Sequence, residues 1–135
     1  MQPISIYPVI GTDHIAVSRD FYTRYFDFEI VFEADWYVSL KSRTNPACEL
    51  ALLDYRHSSL PEPYRHPARG VLINVEVLDV DEAYALLNDQ GLPMVLELKS
   101  EEWGQRHFIT RDPNGLLIDV IQNIAPTGIY AEQYK

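Results

Sequence analysis

Arg111 to Gln122 (RDPNGLLIDVIQ) sets a single carboxylate, Asp119, among apolar residues just after a turn. An acid pointing out of an apolar strand either holds a metal or serves as a polar anchor. Glu49 and Glu76 are further acids on strand-like segments. Of the four histidines, His14 lies at a helix start, His57 and His66 in a connector, and His107 on a strand. Each is read as a surface or capping residue. The single cysteine, Cys48, allows no internal disulfide and no cysteine-rich zinc site, and it reads as a small strand residue.

Such groups act together only if the fold aims them at one place. Ile4–Ile10 alternates as a strand, with Ile4, Ile6 and Ile10 on one face and Ser5, Tyr7 and Val9 on the other. Thr12 or Asp13 can cap a helix reaching about Asp27, with Val17, Phe21, Tyr22, Tyr25 and Phe26 at helical spacing. Strands follow near Glu29–Glu33, Trp36–Lys41 and Cys48–Asp54. The second half repeats this order. Val71–Val77 alternates, sending Val71, Ile73, Val75 and Val77 to the core. Asp79 caps a helix with the stripe Val80, Ala83, Tyr84 and Leu87, ended by Gly91. Strands near Met94–Leu98, Arg106–Arg111 and Leu116–Asn123 complete it. Asn114-Gly115 marks a hairpin, because that pair accepts positive φ. The turn sends Ile118 and Val120 to the core and Asp119 to the opposite face. The expected class is α+β, with βαβββ used twice.

The chain of 135 residues suits one domain, with modules at 4–55 and 70–124, a proline-rich connector at 55–70 and a tail at 125–135. One module of about 50 residues could hardly bury both faces of its sheet, so the two are expected to pack together. The net charge of −9 repels phosphate backbones, so no nucleic-acid partner is expected. No run of ~18 apolar residues exists to cross a membrane. The start, Met1-Gln2-Pro3-Ile4, lacks the basic region and apolar core of a signal peptide. A cytoplasmic protein is expected.

Three stretches carry a family resemblance: Val17–Glu33 (VSRDFYTRYFDFEIVFE), Val75–Leu92 (VEVLDVDEAYALLNDQGL) and Trp103–Gln122 (WGQRHFITRDPNGLLIDVIQ). Together with the doubled βαβββ pattern, they resemble the vicinal oxygen chelate superfamily of glyoxalase I, bleomycin-resistance proteins and extradiol dioxygenases. The resemblance implies two modules forming a curled mixed sheet around a ligand-holding cleft, and a homodimer. It also implies four cleft positions that hold a metal in metal-dependent members, and these fall on Tyr7, Glu49, Leu72 and Asp119. Leucine donates nothing, and a neutral tyrosine is a poor ligand. Two carboxylates alone would hold a metal weakly. No metal or other cofactor is expected, and no metal-dependent lyase or dioxygenase chemistry. No catalytic residue is assigned.

What remains is a cleft for an organic guest. If Leu72 faces it, alternation adds Asn74 and Glu76, while Trp36 and Trp103 sit where rings could close over a ligand. Glu49, Glu76 and Asp119 would favour a cationic molecule. The expected function is metal-free sequestration of a small, toxic organic compound, as in antibiotic resistance of the bleomycin type. The alternatives are a glyoxalase-like lyase, isomerase or dioxygenase using a weak metal or carboxylate acid–base site, and a non-catalytic interaction module. Whether modules pair within one chain or across two stays open.

Overall fold

In the computed structural model, which describes residues 1–135, the chain divides into two units, Met1–Arg69 and Gly70–Lys135. The first contains β1 (Val9–Thr12), α1 (Ile15–Tyr25), β2 (Phe28–Glu33), β3 (Tyr37–Ser42) and β4 (Glu49–Asp54). The second contains β5 (Leu72–Glu76), α2 (Val80–Asp89), β6 (Leu96–Glu101), β7 (Gln105–Arg111) and β8 (Leu117–Asn123). The order βαβββ is therefore present twice.

The sheets are ordered β1-β4-β3-β2 and β5-β8-β7-β6. The helix-crossed pairs β1/β4 and β5/β8 are parallel, and the remaining neighbours are antiparallel, so each sheet is mixed. The expected curling of the sheet around a cleft is not found. Both sheets are open. Each order starts with the strand before the helix and ends with the strand after it, and these two edges do not pair with each other. Four strands are half of the roughly eight that a small closed barrel uses. One helix per unit covers one face and leaves the other without a helix.

In the first unit, α1 buries Ser18 and Tyr22 against a sheet core that includes Val38, Leu40, Leu50 and Leu52. The helix start is organised by Thr12, whose Oγ1 accepts the His14 N–H and lies 3.2 Å from Ser18 Oγ. The apolar stripe is rotated from the expected one: Val17 is exposed, while the hydroxyl of Ser18 is buried with a partner. The first strand also begins later than its alternation suggested. Pro3 and Pro8 have no N–H to give to a ladder, and Ile4 and Ile6 are exposed.

In the second unit, Asp79 accepts the Glu82 N–H and caps α2. Val80 and Leu87 are buried, as are Phe108, Ile118 and Val120 on the sheet. Gln122 Oε1 accepts the Val80 N–H, fixing the helix start to β8. The turn between β7 and β8 is tied by Asp112 Oδ1, which accepts the N–H groups of Asn114 and Leu116, and Gly115 takes φ +82°. It fixes the register from Arg111↔Leu117 to Gln105↔Asn123. The tail folds back on the β6–β7 turn: Ile124 N–H donates to Gly104 O, Thr127 N–H to Glu102 O, and the Tyr134 hydroxyl to Trp103 O. No helix is long and apolar enough to cross a membrane.

Candidate functional site

Because Ile118, Val120 and Gln122 turn toward α2, their neighbours turn to the helix-free face of the second sheet. There Leu72, Asn74 and Glu76 of β5 lie beside Leu117, Asp119 and Ile121 of β8. His107 and Ile109 of β7 continue the row, paired with Ile121 and Asp119. His107 is buried between two acids. Its Nδ1 is 2.7 Å from Asp119 Oδ1, and its Nε2 is 2.9 Å from Glu101 Oε2. Only 5% of the His107 side chain is exposed, against 12% and 14% for Asp119 and Glu101. Lys99 Nζ lies 3.3 Å from the other Glu101 oxygen.

Burial pulls the His107 imidazole toward neutrality, but hydrogen bonds to Glu101 and Asp119, with their charges, outweigh it and raise its pKa. The same contact with His107 lowers Glu101, against the opposing effect of burial, and Lys99 adds to the lowering. The Trp103 ring meets the His107 ring at 6.1 Å and 76°, and Tyr130 meets Trp103 at 6.3 Å and 74°. Trp103 Nε1 donates to Gln105 Oε1 at 2.8 Å. At the other margin, Asn123 Nδ2 donates to Glu76 Oε1 at 2.9 Å.

In the first sheet, Glu49, Ala51 and Leu53 pair with Lys41, Ser39 and Tyr37 on the helix-free face. Glu49 is engaged there, with Lys41 Nζ at 3.6 Å and the Ser5 hydroxyl donating at 3.4 Å. Tyr7 is half-exposed and lies near Tyr37. The Tyr37 pKa is raised, first by burial and then by Tyr7. Trp36, just before β3, stacks flat on His57 at 3.8 Å and 7°, which occupies one face of its ring.

The structure therefore brings Leu72, Asn74, Glu76 and Asp119 onto one face, with Trp103 at its margin. It places Tyr7 and Glu49 with the first sheet, and Trp36 against His57. Reading His107 as a surface or capping residue is corrected: it is the one buried histidine. Glu101 was missed as well. The signal for His107 lay in the hairpin, because the Asn114-Gly115 turn with period-2 alternation puts residues 107 and 119 on one face.

The model of the Glyoxalase/Bleomycin resistance protein/Dioxygenase superfamily matches residues 6–120, most of the chain. The chain belongs to this superfamily. A glyoxalase/bleomycin resistance protein/dioxygenase from Nocardioides is 19% identical at a TM-score of 0.77, covering 96% of this chain and 89% of that one. A lactoylglutathione lyase from Agrobacterium tumefaciens is 23% identical at a TM-score of 0.71, covering 90% and 95%. TnmS3, an antibiotic binding protein from Streptomyces sp. CB03234, is 21% identical at a TM-score of 0.67, covering 91% and 97%. At these identities the likeness shows the fold. No curated protein sequence matches the chain.

Superfamily membership raises the question of a metal, which the donor groups answer on their chemistry. Of the four positions the resemblance pointed to, Leu72 has no donor, Tyr7 offers a phenol, Glu49 is held by Lys41, and Asp119 is held by His107. The two nitrogens of an imidazole point in diverging directions, so Glu101, His107 and Asp119 do not converge on a common point. No group of three or more His, Cys, Asp or Glu side chains has a geometry that could hold a metal ion. The residues do not fit one.

Proposed function

We propose that this superfamily member binds a small organic molecule without a metal and sequesters it, with the helix-free sheet faces as the binding surfaces. The observation that carries this reading is the second-sheet face. Asp119 is held by His107 beside Asn74 and Glu76, among the apolar Leu72, Ile109, Leu117 and Ile121. A few fixed polar groups on an apolar floor suit an organic ligand. Trp103 flanks this second-sheet face as a ring; on the first sheet, Tyr7 and Glu49 offer a phenol and a carboxylate, with Trp36 as the nearby ring. The acids and the net charge of −9 favour a guest with a cationic group. The fold shared with an antibiotic binding protein supports sequestration by analogy. Acid–base catalysis fits less well, since both nitrogens of His107 are engaged. As part of the same proposal, the protein acts in the cytoplasm as a homodimer, with no nucleic-acid or membrane partner.

The test is a thermal-shift screen of chelator-treated protein against cationic aromatic antibiotics, bleomycin included. Saturable stabilisation is expected, reaching about 2.7 kcal/mol at a hundredfold excess over Kd. Glu76→Gln should weaken a cationic ligand about tenfold and leave a neutral analogue unchanged. Silence across the panel, or shifts that need added divalent metal, would overturn the proposal.

A further inference from the structure

We propose that Glu101, His107 and Asp119 form a proton-operated latch holding the β6–β7 turn and the tail, closed while the imidazole carries two protons and opened on the Glu101 side when it loses one. The proposal is independent of what the sheet face binds.

Ionised carboxylates only accept hydrogen bonds, and a neutral imidazole has a single N–H. Here both ring nitrogens lie within hydrogen-bond distance of a carboxylate oxygen, at 2.7 and 2.9 Å. Loss of one proton sets a nitrogen lone pair against a carboxylate in a buried place, which is unfavourable. The two arms are not equivalent. Asp119 sits on β8, paired on both sides by β5 and β7, and its hydrogen-bond partner is His107. Glu101 ends the edge strand β6 and has a second cation, Lys99. The neutral ring therefore keeps its N–H on Nδ1 toward Asp119, and Glu101 turns to Lys99.

Glu101 also opens the turn that the tail covers. Its carbonyl accepts the Gly104 N–H at 3.1 Å, and the next residues carry every tail contact described above. The Trp103 ring touches His107 directly. The charged or titratable groups facing the ring are Glu101 and Lys99 from β6, Lys99 being paired with His107 across the ladder and also bound to Glu101, and Asp119 from β8; Tyr130 of the tail faces Trp103. Glu76, farther along the same face on β5, is bonded to Asn123. The opposing pulls on the imidazole leave it raised, so opening falls on the alkaline side of its ordinary value of about 6.5.

The test follows the ring nitrogens of His107 by ¹⁵N NMR from about pH 6 to 10, alongside Trp103 fluorescence in a Trp36→Phe background. Both nitrogens should be protonated on the acid side of a midpoint that lies above about 6.5. As pH rises, Nε2 should lose its proton while Nδ1 keeps its own, and Trp103 fluorescence should change with the same midpoint. In Glu101→Gln the midpoint should fall by about one pH unit. A ring midpoint at or below its ordinary value of about 6.5, a Trp103 signal that ignores the ring's titration, or an unmoved midpoint in Glu101→Gln would overturn the latch. The wild-type nitrogen shifts decide even if the variant fails to fold.

Discussion

Asp119 owes its role to His107, and the pair fixes how the second unit should respond to pH. The folded pKa of His107 is raised, so its stabilising contribution is full below its unfolded value of about 6.5 and is lost as pH climbs through the folded value. The pKa of Glu101 is lowered, so its contribution is full above an unfolded value of about 4.3 and is lost as pH falls through the folded one. The cluster stabilises most between those limits. A melting-temperature profile against pH should fall on both flanks, and His107→Gln should flatten the alkaline flank. His107→Leu leaves the buried Asp119 without its donor and should cost about 1–3 kcal/mol in denaturant unfolding. Asp119 stood out in the sequence because it is an acid among apolar residues. His107 did not, because its facing follows from pairing across a hairpin rather than from its own neighbours. Glu101 was still harder to see, since it depends on where the β6–β7 turn falls.

Among the elements, the second helix was the most legible, since the Asp79 cap and the Gly91 stop are both local chemistry. Asp79→Ala should lower stability by about 1 kcal/mol in denaturant unfolding. The first helix shows what periodicity cannot see: it counts apolar side chains, whereas Ser18 is buried through a hydroxyl contact with Thr12. The alternation of Ile4–Ile10 was misleading because prolines interrupt the ladder. The strand expected near Met94–Leu98 lies at Leu96–Glu101, since the polar Lys99, Ser100 and Glu101 pair along an edge. Gly104 is the glycine with most at stake. It has φ +101°, and a Cβ there would come within 3.0 Å of Ile124 O and 3.2 Å of the Tyr134 hydroxyl. Gly104→Ala should loosen the tail, read as faster amide exchange at Ile124 and Thr127 with the α2 amides unchanged.

For the whole molecule, the doubled βαβββ order was legible because each module repeats the same local signals, and superfamily membership follows from the match over residues 6–120. Openness of the sheets was not, because strand periodicity records which side chains share a face and says nothing of how far a ladder bends or closes. The central claim, metal-independent binding of an organic guest, is tested most directly by isothermal titration calorimetry of chelator-treated protein with a cationic aromatic antibiotic. Saturable heat and recovery of the ligand chemically unchanged are the predicted result. Heat that appears only after zinc, nickel, manganese or iron is added, or a ligand recovered as a product, would contradict it.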